Sequence, residues 1–242
     1  MVVPPYMQPF VLTVNEVARE RDGVLDLYCP DAAEGPLPAV LFVHGGPLPA
    51  GLVATPRDWP IFQGYGALAA MSGLVGAVVD HGLDSPAAYG KAEADVRAAV
   101  ERLRALPSVD SERVALWFFS GGGLLSAPWL REPPAWLRCV ALTYPVLRPP
   151  VGWGVEAGFD PVDALSAAVD RPPVLLTRVG RESIAVAASV AEFTEVAERH
   201  EVGVDVIDVP DGVHGFDTAD HNEDSRAAVR QAMTWVAAAL RR

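Results

Sequence analysis

The sequence predicts an α/β fold, with a mostly parallel central sheet covered by helices on both faces. Continuous apolar runs at residues 39–43, 74–79, 114–119 and 139–142 suit strands buried on both sides. Longer amphipathic stretches alternate with them, as crossover helices do between parallel strands. The chain has 242 residues and 50% hydrophobic content, enough for one sizeable core, so a single domain spanning residues 1–242 is expected.

The elements follow in order. Residues 10–14 and 24–28 read as first strands, antiparallel to each other. Residues 39–43 form the next strand and end at His44-Gly45-Gly46. Residues 74–79 form another and end at Asp80-His81-Gly82. Ser85-Pro86 then opens a helix, because Ser suits the N-cap and Pro the first turn. Val96, Ala99, Val100, Leu103 and Leu106 recur at helical spacing, and Pro107 closes the run. Residues 114–119 are a strand, 121–130 a helix and 139–142 a strand. Residues 145–173 are rich in Pro and Gly, with a helical patch at 162–168, and read as a short insertion or lid over a site. A strand at 174–177, a helix at 184–199, a strand at 204–209 and a helix at 224–240 complete the chain.

Charge and composition exclude several functions. The formal net charge is −12, which argues against a nucleic-acid groove and against docking on anionic membranes, because both need clustered Lys and Arg. Gly121-Gly122-Gly123 lacks the Lys-Ser/Thr of a phosphate loop, and the His44-Gly45-Gly46 turn lacks the spaced glycines of a dinucleotide fingerprint. No nucleotide cofactor and no metal cluster is expected. Cys29 and Cys139 read as free thiols rather than a disulfide framework. No apolar run is long enough to span a bilayer, and residues 1–5 do not resemble a signal peptide, so a cytoplasmic setting is expected. The composition selects no oligomeric state, and a small-molecule substrate is the expected partner.

In sheets of this kind, sites gather at the carboxyl ends of the strands. Trp117-Phe118-Phe119-Ser120-Gly121-Gly122-Gly123 supplies a strand, a serine and small residues that permit a sharp turn. A serine hydroxyl needs a base, an acceptor that orients the base, and donors for the oxyanion formed on attack. The alternative is a glycine-rich turn with an incidental serine.

Four features in chain order bear on that choice. They are His44-Gly45-Gly46-Pro47 after an early strand, Ser120 at a strand end, an acidic residue after a late strand, and His214-Gly215-Phe216 near the end. From Pro38 onward the chain resembles the α/β-hydrolase superfamily, especially its dienelactone-hydrolase-like and acyl-peptidase-like serine esterases. The resemblance implies the α/β-hydrolase fold, with Ser120 as nucleophile and His214 as general base. It also implies a carboxylate after residues 174–177. Relatives usually place Asp two residues after the Gly, where Arg178-Val179-Gly180-Arg181-Glu182 carries Glu182. Asp208, Asp211, Asp160 and Asp163 are its rivals, and a carboxylate that merely favours a helix N-terminus is the bland alternative for Glu182. The oxyanion donors would be the N–H groups of Gly121 and Gly46, since Pro47 has none.

Other residues have divided readings. His44 is expected to shape the turn, and His81 either to line the pocket or to serve structure. Trp153 and Phe159 in the insertion, with Trp129 and Trp136 nearby, are candidates for an apolar acyl pocket or for ordinary packing. Phe118 stands where relatives usually carry Gly or Ala. The expected activity is cleavage of an ester, lactone or thioester of a small to medium acid through an acyl-enzyme. The alternative, motivated by Phe118 and Glu182, is a protein of this fold without hydrolytic turnover: a binding module, or a synthase or cyclase that reuses the pocket.

Overall fold

A computed structural model describes residues 4–31, 34–49, 51–52, 54–167 and 171–242. Eight strands form one sheet: β1 (Arg19–Asp22), β2 (Leu25–Tyr28), β3 (Leu37–Val43), β4 (Val75–Val79), β5 (Val109–Phe119), β6 (Leu137–Thr143), β7 (Val174–Arg181) and β8 (Val204–Val213). Their order is β1-β2-β4-β3-β5-β6-β7-β8. Strands β3 to β8 pair in parallel, and the β1–β2 hairpin adds an antiparallel edge. The helices are α1 (Pro60–Met71), α2 (Tyr89–Arg104), α3 (Ala127–Arg131), α4 (Pro161–Ala167), α5 (Ile184–Arg199), α6 (Phe216–Ala219) and α7 (Glu223–Leu240).

The period of two along each strand divides the core between the faces. Leu41, Val43, Leu116 and Phe118 meet Val96, Val100 and Leu103 of α2, Trp129 of α3 and Phe193 of α5. Val40, Phe42, Trp117 and Phe119 meet Phe62 and Tyr65 of α1 and Val229, Met233 and Val236 of α7. The central runs at 39–43, 75–79 and 114–119 are apolar and buried at every position because both faces are covered.

Several expectations are corrected. Residues 10–14 are not a strand. Phe10 lies 4.9 Å from the Tyr65 ring in the core, and the Val11 N–H donates to the Asp217 carbonyl at 2.9 Å, so the segment is spent on packing α1 and the turn at α6. The first strand is instead Arg19–Asp22, whose Arg-Glu-Arg-Asp sequence has no buried face. The expected helix over 121–130 is a 3₁₀ segment, Ser120–Ser126, followed by the short α3. Ser85 makes no side-chain capping bond, because a 3₁₀ turn at Pro86–Ala88 precedes α2. The described residues of segment 145–173, 145–167 and 171–173, do not form a lid over Ser120. Its α4 residues Val162, Ala164 and Leu165 join the α2/α3/α5 face, and Arg131 of α3 donates to the Gly158 carbonyl at 3.1 Å. Ala168, the expected end of that helical patch, lies outside the described residues.

One ionic cluster ties the sheet edge to the loop before α1. The Asp26 side chain is fully buried and takes a two-pronged contact from Arg21, at 2.8 and 2.9 Å. Arg19 and Arg57 approach it at 3.3 and 3.4 Å. Arg57 also reaches Asp80 at 2.6 Å, at the end of β4. A buried carboxylate held by several guanidiniums is costly to break from one side, since it leaves charge uncompensated. Asp26→Ala is expected to lower stability by about 3 kcal/mol, read as a shift in a urea melt. A change no larger than that of a surface substitution would show that the arginines are solvated equally well without it.

Candidate active site

Five adjacent strand ends supply the site. Phe119 of β5 pairs with Thr143 of β6, so the next residues, Ser120 and Tyr144, leave the sheet side by side. Val43 pairs with Phe118, which brings Gly45 opposite Ser120. Arg181 of β7 pairs with Val213 of β8, so Glu182 and His214 are likewise neighbours. That last match depends on an irregularity. Val179 pairs with Val209, yet Arg181 pairs with Val213, so β8 bulges out over residues 210–212. Gly180 lets the strands close, because a Cβ there would lie 2.0 Å from the Pro210 carbonyl oxygen.

Ser120 has φ 51°, a left-handed conformation that costs a non-glycine residue about 1–3 kcal/mol. Contacts on every side hold it there. The Val146 N–H donates to the Ser120 carbonyl at 2.9 Å, and the Tyr89 hydroxyl donates to the Gly121 carbonyl at 2.9 Å. The glycines let the 44–46 turn press against this segment. A Cβ on Gly121 would sit 1.9 Å from the Gly46 carbonyl oxygen, and one on Gly122 2.4 Å from that of His44. Phe118 is fully buried, so its bulk is absorbed by the core.

The side chains form a hydrogen-bonded chain. Ser120 Oγ lies 2.7 Å from His214 Nε2, and His214 Nδ1 lies 2.5 Å from Glu182 Oε2. A carboxylate can only accept, so Nδ1 carries the proton and Nε2 is free to accept from the serine. The Glu182 side chain is 7% exposed and that of His214 38%, which leaves the acceptor shielded and the ring within reach of a ligand. Glu182 Oε1 accepts the Ser183 N–H at 2.7 Å, at the start of α5. The rival carboxylates are engaged elsewhere or remote from the ring: Asp208 pairs with Arg178, and Asp160 and Asp163 with Arg148. Asp211 lies in the β8 bulge and is exposed.

A cavity of about 300 Å³ opens beside Ser120 and His214. Its walls are Tyr6, Leu48, Trp59, Ile61, Phe62, Phe119, Tyr144 and Thr218, with the 45–47 turn at one side. Tyr6 stacks on Trp59 at 4.8 Å between ring centres. Trp153 and Phe159 are not part of it. Phe159 packs on Tyr89 at 5.7 Å and Trp153 borders the same core on the opposite face of the sheet. Trp129 and Trp136 pack on each other beneath Arg97 and Arg104. His81 is also outside this cavity. It stacks on His44 at 3.6 Å, its Nε2 lies 3.1 Å from the His44 carbonyl oxygen, and it faces a separate small cavity. Burial pushes His44 down to about 4 and His81 well below the usual imidazole range, so both rings are neutral at pH 7.

The sequence reading missed Tyr144, Asp217 and Tyr65. Asp217 is fully buried, and its carboxyl accepts from the Tyr144 hydroxyl at 2.9 Å and the Tyr65 hydroxyl at 3.0 Å. The available signal was the acid immediately after His214-Gly215-Phe216. Among the described residues, no group of three or more His, Cys, Asp or Glu is arranged to hold a metal ion. No helix there is long and apolar enough to cross a membrane. Cys139 is buried and Cys29 partly so, and neither forms a disulfide.

No protein-family model and no curated protein matches the chain. Solved structures do. The Francisella virulence factor BioJ superposes with TM-score 0.74 at 16% identity, over 93% of this chain and 86% of that one. A bacterial heroin esterase gives 0.72 at 20% identity, over 90% and 80%. Esterase 2 of Thermogutta terrifontis with butyrate bound gives 0.69 at 18% identity, over 90% and 92%. The same esterase phosphoramylated by tabun gives 0.69 at 19% identity, over 91% and 92%. The fold is therefore that of the α/β-hydrolase esterases.

Burial pushes the Asp217 carboxyl up to about 7, against the hydrogen bonds from Tyr144 and Tyr65 that favour its ionised form. An unfolded chain ionises this group near its ordinary value of 3.8. The group's contribution to stability is thus fully present below about 4 and is lost as pH rises to about 7. Melting temperatures across that window are expected to fall in wild type relative to Asp217→Asn. Parallel curves for the two proteins would show that the carboxyl ionises as freely folded as unfolded.

Proposed function

We propose that the protein is a serine hydrolase that cleaves a carboxylic ester of small to medium size through an acyl-enzyme on Ser120. The observation that carries this reading is the Ser120–His214–Glu182 chain, with contacts of 2.7 and 2.5 Å. Its place at the strand ends of an esterase fold supports it, as does the solution of one structural neighbour with butyrate bound.

In this mechanism His214 Nε2 takes the proton as Ser120 Oγ attacks the ester carbonyl. Glu182 holds the imidazole in the tautomer that can accept it, and stabilises the imidazolium. Negative charge develops on the carbonyl oxygen. The Gly121 N–H is suited to meet it, because the first N–H groups of a helical segment have no acceptor within the helix. The Gly46 N–H is the second donor. A Cβ on Gly121 would lie 3.4 Å from the Gly46 nitrogen, so the two stretches of backbone adjoin. His214 then returns the proton to the leaving alkoxide. In the second half, water gives its proton to His214 as it attacks the acyl-enzyme, and His214 passes that proton to Ser120 Oγ as the carboxylic acid leaves.

The cavity decides which substrates suit. None of its described lining residues is Asp, Glu, Lys or Arg, and the chain is strongly acidic overall. An anionic arm would be desolvated there without a partner. The substrate arm that fills it is therefore uncharged, aromatic or aliphatic.

A fluorophosphonate probe is expected to label wild type at Ser120 and to leave Ser120→Ala unlabelled. Glu182→Gln is expected to cut kcat by between about 10²- and 10⁴-fold with an unchanged melting temperature. Labelling that survives in Ser120→Ala, or near-normal turnover in Glu182→Gln, would overturn these roles. A p-nitrophenyl butyrate or benzoate is expected to be cleaved at least tenfold more efficiently in kcat/KM than the anionic p-nitrophenyl hemisuccinate. The reverse order would sink the reading of an uncharged arm.

A further inference from the structure

We propose that Tyr144 and Asp217 are positioning residues that fix the tilt of the His214 ring against Ser120, an inference that rests on the roles given to Ser120 and His214 above. Two hydrogen bonds hold the imidazole, one at each ring nitrogen. The Nε2 lone pair and the Nδ1–H both lie in the plane of an imidazole ring. The two bonds fix where the nitrogens sit but leave the ring able to rock about the line joining them. A contact on its face is what removes that freedom.

Tyr144 provides the contact. Its ring centre lies 4.9 Å from that of His214, inclined at 55°. It leaves β6 beside Ser120 and has φ 37°, a left-handed conformation that a tyrosine adopts only under constraint. The constraint is visible at both ends of the residue. Its N–H donates to the Thr177 carbonyl at 2.8 Å, and its hydroxyl donates to Asp217 Oδ1 at 2.9 Å. Asp217 follows His214 by three residues and is itself anchored. Its second oxygen accepts from Tyr65 of α1, and its carbonyl accepts the Val11 N–H. Phe216, between them in sequence, meets the Tyr144 ring edge-on at 5.8 Å. The turn that carries His214 is therefore clamped to the ring that His214 rests on.

Tyr65 supplies the control. It bonds to the same carboxyl but lies on α1, and no ring contact joins it to His214 among the described residues. Tyr144→Phe and Tyr65→Phe each remove one hydroxyl from Asp217, yet only the first releases the ring beside the imidazole. With p-nitrophenyl butyrate and the full chain, Tyr144→Phe is expected to lower kcat about tenfold with KM within twofold, short of the roughly 10²-fold cost of a 1 Å misplacement. Asp217→Asn should behave alike, while Tyr65→Phe keeps kcat within twofold despite a similar loss in melting temperature. The downfield proton resonance of His214 Nδ1–H is expected to shift or broaden in Tyr144→Phe and Asp217→Asn and to stay unchanged in Tyr65→Phe. Equal effects of Tyr144→Phe and Tyr65→Phe on kcat and on the resonance would reduce the network to a packing role and overturn the proposal. If Tyr144→Phe does not fold, the Asp217→Asn and Tyr65→Phe pair decides. If wild type neither labels with fluorophosphonate nor turns over an ester, the hydrolase reading falls, and the resonance alone still decides whether Tyr144 holds the ring.

Discussion

The turn at Gly45 and Gly46 lies against the backbone of residues 120–122 with no room for a side chain between them. A Cβ on Gly45 would meet the Ser120 Cβ at 2.8 Å, and one on Gly121 would meet the Gly46 carbonyl at 1.9 Å. This backbone-on-backbone contact is what the rest of the site depends on. It brings the two oxyanion-donor candidates together and confines Ser120 to its left-handed conformation. It also explains a poor helix sequence directly after a strand, since three glycines in succession are unfavourable in a helix and are retained here for closeness.

Register carries the geometry outward from that contact. Ser120 and Tyr144 are neighbours because β5 and β6 pair in step to their ends. Glu182 and His214 are neighbours only because β8 gains residues in its bulge at 210–212. An in-step pairing continued from Val179–Val209 would instead place Glu182 opposite residue 212, with His214 two positions further on. The bulge thus does for the acid and base what the glycines do for the nucleophile. It also suits Glu182, whose side chain is one methylene longer than aspartate and still reaches the ring while its other oxygen takes the Ser183 N–H.

Much of this was readable in the chain, and the reasons differ by residue. Ser120 directly follows an apolar run buried on both faces, which is the strongest signal a sequence gives for a parallel strand and its end. Glu182 follows a shorter one at 174–177, whereas His214 follows the edge strand β8, which is buried at alternate positions only. Helix α5 matches its expected bounds because Ser183 caps it through the Val186 N–H. The edge strand Arg19–Asp22 left no such trace, since its residues are charged and its pairing rests on a distant cluster around Asp26. The aromatic wall was misplaced for a related reason. Trp153 and Phe159 lie in an irregular segment that looks like a lid in sequence but packs on α2 and α3. Tyr6 and Trp59, which do wall the cavity, lie in segments with no periodicity at all.

Phe118 shows how a departure from the usual elbow is accommodated. A small residue two places before the nucleophile normally lets the next helix start at once against the strand. Here the chain runs as a 3₁₀ segment from Ser120 to Ser126, and α3 begins only at Ala127. A 3₁₀ helix rises about 2.0 Å per residue against 1.5 Å in an α-helix, so the segment carries the chain further from the strand end before it widens. The space gained is filled: Phe118, Leu124, Leu125 and Trp129 join one buried cluster. The bulk at position 118 therefore displaces the start of the helix rather than the serine. The turn at Ser120 is held by bonds from Val146 and Tyr89 and by its contact with the 44–46 turn, and none of these requires a small residue at 118.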